Sequence, residues 1–453
     1  MFSRSLASIV STSACSLSHR AIVTAALSCL TDRKQCNAGL SEAAATKTFN
    51  NELSIASTPS ASSFSSSAVS GNSLNIPSSL SLETRHLLMQ QDLCMNIPQS
   101  IIDKLERNLH KIENHPLGII KELVEQYMND NDKTRIKFDV YDSCAPIVST
   151  KACFDDLRVH QDHVSRSPSD TYYVNTDHVL RTHTSAHQTE LLKGGVQNFL
   201  CSGDVFRRDE IDSSHYPVFH QMEGVRTFQE EEIRGMTVQE AKKLAETELK
   251  DILSGLARHI FGDVEMRWNE DYFPFTEPSF ELEVRFEEKW LEVLGCGVIH
   301  DEVYSNASMD GRIGWAFGLG LERLAMVLFG IPDIRLFWTD DPRFHSQFTK
   351  GVLNKFVPYS KYPICYKDVS FWLPDDRNIH VNDIYEIIRE VSGDLVEKVE
   401  LIDEFFNKKT LKTSHAYRIS YRHMSKNLIN EEVDALQWEV RDKLVDKLGV
   451  TLR

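Results

Sequence analysis

The 453-residue chain is expected to be an α+β protein: an antiparallel sheet flanked by helices, followed by a smaller domain of strand–helix order βαββαβ. Three patterns predict this. Residues Phe280–Phe286 alternate strictly, with Phe280, Leu282, Val284 and Phe286 on one face, as in a half-buried strand of an antiparallel sheet. Residues Thr237–Ile260 carry the spacing of a long amphipathic helix. After Phe348 six segments alternate in the split βαββαβ order.

Composition sets the outer limits. Hydrophobic residues at 41% and charged residues at 26% suit a globular chain and exclude a wholly disordered or collagenous one. No apolar run approaches the roughly 20 residues of a membrane-spanning helix. The nine Cys are scattered without a CxxC pair, against a disulfide scaffold or zinc ribbon and in favour of a reducing compartment. The net charge is −16, yet the segment from Lys350 to Arg453 balances at 17 basic and 17 acidic side chains. A polyanion would therefore meet least repulsion at the C-terminal hundred residues.

Residues 1–78 form a leader and linker. They are rich in Ser and poor in acid, with Arg4 and Arg20 ahead of the first acid, Asp32. This is the composition of an organelle transit peptide followed by a disordered Ser-rich linker, although the apolar stretch 21–30 also suits a secretory signal and the whole a plain disordered extension. Order is expected near Pro98, with helical spacing at Ile101, Ile102, Leu105 and Leu109 and a second helix over Leu117–Met128. The larger domain spans 95–348. In it Trp290–Val298 partners the strand at 280–286, and a helix over Gly320–Phe329 is closed by Gly330 and Pro332. The smaller domain, 355–453, reads as strand Ile364–Leu373, helix Val381–Val391, strands Val396–Phe406 and His415–Arg422, helix Glu431–Leu448 and strand Val450–Arg453.

Four segments carry side chains suited to chemistry. Arg207, at a strand end, offers a bidentate fork for phosphate or carboxylate, and on the returning strand Phe219, Gln221 and Glu223 share one face. An aromatic platform, an amide and a carboxylate together suit a purine ring and an ammonium group; surface salt bridges around a hairpin are the plainer alternative. In the segment from Gly314 to Arg323 the glycines allow close backbone approach to a ligand, and Arg323 sits in a first helical turn, where the dipole also favours an anion. No Gly-Lys-Ser/Thr follows and no βαβ unit surrounds it, which excludes a P-loop and a dinucleotide fingerprint; a structural Glu322–Arg323 ion pair is the alternative there. Phe273 and Phe275, held by Pro274 with Thr276 beside them, suit the walls of an apolar slot, or simply a core. His183 and His187 have zinc-pair spacing, but no Glu follows His183 and no third ligand is evident, so polar lining of a cleft is preferred to a zinc-type site.

Together these strings resemble the class II aminoacyl-tRNA synthetases. FRRD at 206–209 is similar to their motif 2 and GLGLER at 318–323 to their motif 3. RTHTS at 181–185, HYPVFHQMEG at 215–224, YFPFTEPSFE at 272–281 and WAFGLGLERLAM at 315–326 resemble the phenylalanyl-tRNA synthetases. YPICYKDVSFWLP at 362–374 and SHAYRISYR at 414–422 are similar to the ferredoxin-fold anticodon-binding domain. With both ends on one chain and no room for an editing domain, the resemblance is to the single-chain organellar form.

That resemblance implies a fold, substrates and roles. The fold would be a class II synthetase antiparallel sheet flanked by helices plus a C-terminal ferredoxin-like anticodon-binding domain. The substrates would be L-phenylalanine, ATP taken as Mg-ATP, and tRNA(Phe), handled by a monomer in the mitochondrial matrix, with a plastid or dual address as the alternative and no membrane partner. Arg207 would hold the α-phosphate and Arg323 the γ-phosphate, with Phe219 stacked on adenine. His183, Ser185, Gln221 and Glu223 would surround the amino acid's charged groups. Phe273 and Phe275 would meet its ring edge-on, and Thr276 and Ala316 would close the pocket. Asp209 and Glu292 would lie at ATP or its Mg²⁺. Arg208 and His215, with Tyr417, Arg418 and Arg422 in the tail, would face tRNA.

Overall fold

The computed structural model describes residues 74–130, 136–359, 362–374 and 379–453. The expected leader lies outside the described residues up to 73. Its last part, 74–78, corrects the expected boundary: Leu74 and Ile76 pack against the main core. Order also begins before Pro98. Helix α1 (Leu82–Leu88) is capped by the Ser81 hydroxyl, which accepts from the Thr84 N–H, and buries Thr84 and Leu88.

The larger part is built on a seven-stranded sheet of order β1-β5-β6-β10-β9-β8-β7. Its strands are β1 (Asp139–Tyr141), β5 (Asn198–Phe206), β6 (Val218–Thr227), β7 (Met266–Asp271), β8 (Thr276–Phe286), β9 (Lys289–Ile299) and β10 (Gly314–Gly320). Only β1 pairs in parallel, with β5. The short strands β2 (Ile147–Ser149), β3 (Tyr173–Asn175) and β4 (His178–Leu180) form a separate three-stranded sheet.

Alternation decides which face is packed. Val218, His220 and Met222 of β6, Trp315, Phe317 and Leu319 of β10, and Phe280, Leu282 and Val284 of β8 are buried on the rear face. Helix α2 (Pro116–Asn129) and the long helix α3 (Val238–Phe261) cover that face, the latter with Ala241, Ala245, Leu249, Leu253 and Leu256. Helix α3 starts with a capping box, Thr237 and Glu240 exchanging side-chain bonds with each other's backbone N–H. Helix α4 (Leu321–Phe329) follows β10 directly and ends at Gly330, whose φ of 70° is a left-handed conformation that suits glycine.

The smaller sheet has order β12-β13-β11-β14, from β11 (Cys365–Trp372), β12 (Val396–Asn407), β13 (Lys412–Tyr421) and β14 (Thr451–Leu452). With helices α5 (Val381–Ser392) and α6 (Asn430–Leu448) this is the expected βαββαβ order. Val369, Phe371, Tyr417, Ile419 and Tyr421 meet the helices in one core, which also takes in Ile211 of the larger part. The loop between β5 and β6 is held there by polar contacts too. Arg389 Nη2 donates to the Asp209 carbonyl at 2.8 Å, Val399 N to the Ile211 carbonyl at 3.0 Å, and the Tyr216 hydroxyl to Asp394 at 2.6 Å.

Candidate active site

The front face of the large sheet is floored by small residues. Strand register places Gly203 beside Gln221, Gly318 beside Glu223 and Gly320 beside Gln221, and Ala316 beside Gly297. A Cβ on Gly318 or Gly320 would meet no atom within 4 Å, so these backbones face open space. The rear core supports this floor; the missing side chains give the cleft its depth.

At one end lies the aromatic slot. Phe273 and Phe275 stack with ring centroids 6.1 Å apart and planes inclined at 17°, and the His183 ring lies 6.2 Å from Phe275. Phe273 rests on Gly295, where a Cβ would stand 2.7 Å from its Cζ. Thr276 and Ala316 are buried at the slot's base, and the Thr276 hydroxyl is bonded to Ser279 at 2.7 Å. These aromatics are half-buried front-face residues, not members of the rear core.

Between slot and platform lies Glu223, 2% exposed, with neither carboxylate oxygen in a hydrogen bond of ordinary geometry. Burial pushes its carboxyl up to about 8, against the pull of the Ser185 hydroxyl. A buried carboxylate is costly, so the group keeps its proton until a cation beside it favours the anion. His183 is held neutral: burial, then Arg207, drives its ring down to about 3. Its Nδ1 is likewise buried without a partner.

Phe219 and Gln221 share the Glu223 face, as alternation requires. Arg207 is fixed from two sides, its Nε donating to the Thr182 carbonyl at 2.8 Å and its backbone N–H to Pro217 at 3.0 Å. Its guanidinium carbon is 5.2 Å from the Phe219 ring. Arg323, in the first turn of α4, pairs with Glu292 at 2.9 Å, both half exposed. The Glu322–Arg323 ion pair envisaged from sequence is absent among the described contacts; Glu322 turns to the rear face and bonds His220 instead.

Two features were missed in the sequence. Glu281 faces the cleft beside Gly295, and burial with Glu292 and Asp271 nearby raises its carboxyl to about 7. Two crowded carboxylates are an oxygen donor set of the kind Mg²⁺ takes together with nucleotide phosphates. The signal was there: the alternation that turns Leu282 inward turns Glu281 to the other face. Arg181 is 2% exposed and spends its guanidinium on Asp204 (2.6 Å), the Cys144 carbonyl (3.0 Å) and His187 Nε2 (2.8 Å). It thereby fixes the segment bearing His183 and Ser185, and it takes up one ring nitrogen of His187.

The residues expected to face tRNA are mostly engaged elsewhere. Arg208 donates to the Pro168 carbonyl at 2.6 Å and to Asp383 at 3.0 Å. His215 is bonded to Asp212 at 2.9 Å, which raises its pKa; with Glu210 these groups form a compact His–carboxylate cluster satisfied internally. Asp209 accepts the Glu210 N–H at 2.8 Å at the junction with α5. Tyr417 is a correction: it is 2% exposed and its ring lies along Phe371, because alternation on β13 points 417, 419 and 421 at the helices. Arg422 pairs with Glu397 at a strand end. Arg418 does lie on the open face, paired with Asp368 at 2.8 Å. Further along that face Trp372 and Phe405 meet edge to face at 6.2 Å, and Arg453 lies 5.4 Å from the Trp372 ring.

Comparison with known proteins gives the family. Residues 102–348 match the family described as tRNA synthetases class II core domain (F), and residues 360–453 match the ferredoxin-fold anticodon-binding domain. The fold is thus that of a class II aminoacyl-tRNA synthetase. The chain is 54% identical to the chloroplastic/mitochondrial phenylalanine–tRNA ligase of Arabidopsis thaliana, over 81% of this chain and 85% of that protein. It is 48% identical to the mitochondrial phenylalanine–tRNA ligase of Dictyostelium discoideum (79% and 89% covered) and 49% identical to that of Mus musculus (80% and 86%). The chain belongs to the family of organellar single-chain phenylalanine–tRNA ligases.

Proposed function

We infer that this chain activates L-phenylalanine with ATP and transfers it to the 3′-terminal ribose of tRNA(Phe) for translation in the mitochondrion, with a plastid or dual address as the alternative. One observation carries the assignment of the amino-acid site: Glu223, a buried carboxylate with no hydrogen bond of ordinary geometry, stands between the apolar aromatic slot and the Phe219 platform. An α-ammonium neutralises that charge while a benzyl group fills the slot, and His183, Ser185 and Gln221 contact the charged groups.

No nucleophilic side chain is needed. The substrate carboxylate attacks the α-phosphorus in line, the bond to the bridging oxygen breaks, and pyrophosphate leaves with the electron pair. A ribose hydroxyl of the terminal adenosine then attacks the acyl carbon, and AMP leaves. Charge gathers on phosphate oxygens, so Arg207 at the α-phosphate and Arg323 at the γ-phosphate supply electrostatic stabilisation while the slot and the Phe219 platform supply alignment. Glu281 and Glu292 would hold Mg²⁺, which when bound would neutralise phosphate charge. Arg323 exchanges its Glu292 partner for phosphate as the nucleotide enters.

Anticodon contact is assigned to the open face of the small sheet, where Arg418, Trp372, Phe405 and Arg453 offer stacking and charge. We take the working unit to be a monomer, as the resemblance to the single-chain form implies; light scattering of the purified protein tests this. Phenylalanine-dependent ATP–pyrophosphate exchange, run against all twenty amino acids and followed by charging of organellar tRNA, tests the function. A catalytically silent RNA-binding relative would give no exchange with any amino acid, and a synthetase of another specificity would prefer a different one.

A further inference from the structure

Where β10 ends, its pairing with β6 ends as well: Gly320 lies opposite Gln221, and the next residue, Leu321, already begins α4. The His220 N–H would therefore have no strand partner on that side. The Glu322 carboxylate takes the place of the missing strand. Its Oε2 accepts the His220 N–H at 2.7 Å and its Oε1 lies 2.7 Å from His220 Nδ1. Both side chains are sealed from solvent, and the His220 ring is held between His110 (5.2 Å) and Trp338 (5.8 Å).

The neighbours of this bond matter. His220 stands between Phe219 and Gln221, the platform residues, whose side chains point to the opposite face. Glu322 immediately precedes Arg323, in a helix anchored by buried Leu321, Leu324, Ala325 and Phe329. One carboxylate thus ties the strand under the adenine platform to the helix turn that presents the phosphate-binding arginine. We propose that Glu322 is a positioning residue that sets the distance between the adenine subsite at Phe219 and the phosphate subsite at Arg323. This rests on the nucleotide reading of the site above, and it adds a residue that never touches substrate.

A ligand spanning both subsites senses that distance; one spanning only the platform does not. Glu322→Ala is therefore expected to weaken ATP binding at least tenfold while adenosine binding changes less than twofold, both read by calorimetry without amino acid. In Glu322→Gln the amide oxygen still accepts the His220 N–H, and its ATP affinity is expected within about fivefold of the parent. A merely structural role would lower the melting temperature and the fraction of active protein but leave the ratio of ATP to adenosine affinity unchanged. That unchanged ratio in folded Glu322→Ala protein, or equal weakening of both ligands, overturns the proposal. If Glu322→Ala shows no cooperative unfolding, Glu322→Asp, which keeps the charge but draws it back by one methylene, is read by the same ratio. Because no amino acid enters this measurement, its failure is distinct from a failure of phenylalanine-dependent exchange.

Discussion

The Arg181 guanidinium lies against the backbone of Gly203: a Cβ at that position would stand 2.1 Å from its Nη2. Gly203 in turn is the register partner of Gln221 on the cleft floor. A buried arginine bonded to Asp204 and His187 cannot retreat without leaving polar groups unpaired. Gly203→Ala is therefore expected to cost about 1–3 kcal/mol of stability by overpacking and to raise the KM for phenylalanine more than that for ATP. Denaturant unfolding and exchange kinetics measure the two effects; a stable variant with parental kinetics would contradict the contact.

Glu223 links binding to pH. Its carboxyl is pushed up to about 8 in the fold, from 4.5 in an ordinary glutamate, so between those values the folded chain holds a proton that the unfolded chain releases. The sign follows directly: this group's contribution to stability falls as pH rises from about 4.5 to about 8 and is level outside that window. Binding an ammonium group requires the anion, so phenylalanine affinity is expected to improve as pH rises toward 8, with proton release detectable by calorimetry in buffers of different ionisation enthalpy. Glu223→Gln is expected to remove both pH dependences and to weaken phenylalanine by about 1.5–3 kcal/mol, the range of a hydrogen bond to a charged group.

Ala316 sets the depth of the slot. It is buried on the floor beside Gly297, whose own Cβ would stand 2.6 Å from that of Thr276. Removing the Ala316 methyl is expected to lengthen the slot where a para substituent points. Ala316→Gly should activate para-chlorophenylalanine in the exchange assay, where the parent does so poorly. An unchanged rate with that substrate would place the ring elsewhere.

Arg323 and Glu292 hold each other at 2.9 Å on a half-exposed surface, so the pair contributes little to stability. Its arginine is expected to matter far more when phosphate replaces the carboxylate. Arg323→Ala should lose about 2–4 kcal/mol of transition-state stabilisation, by analogy with a single oxyanion donor, with a melting temperature close to that of the parent. Unchanged exchange would remove Arg323 from the phosphate site.

The sequence was most legible where one periodicity ruled. Alternation in β8 and β6 assigned faces correctly, so Phe219, Gln221 and Glu223 stand together in the structure. The βαββαβ order of the tail was readable because its helical and alternating stretches follow one another with short breaks between them. What could not be read was contact across distant segments. Nothing local says that Glu322 belongs to His220, that Arg181 covers Gly203, or that the loop bearing Arg208 is spent on α5. Tyr417 illustrates the limit within a strand: its type suits base stacking, but the face it occupies depends on where α5 and α6 pack.

The open face of the small sheet supplies the remaining test. Trp372 on β11 and Phe405 on β12 flank Ser414 of the intervening strand in register, and Arg453 lies over both rings at 5.4 and 5.3 Å. Phe405 is 43% exposed opposite the small Ser414, so the face keeps apolar surface open beside Arg453. Stacking of an unpaired base on an aromatic ring is worth about 1–3 kcal/mol. Trp372→Ala is therefore expected to raise the KM for tRNA in charging by roughly five- to a hundredfold, while phenylalanine-dependent pyrophosphate exchange, which needs no tRNA, stays at the parental rate. Because Trp372 is only partly buried and contacts neither α5 nor α6 in the core cluster, the variant should fold. Equal loss in both assays would mean that the substitution acts through stability, and no loss in charging would move the anticodon off this face.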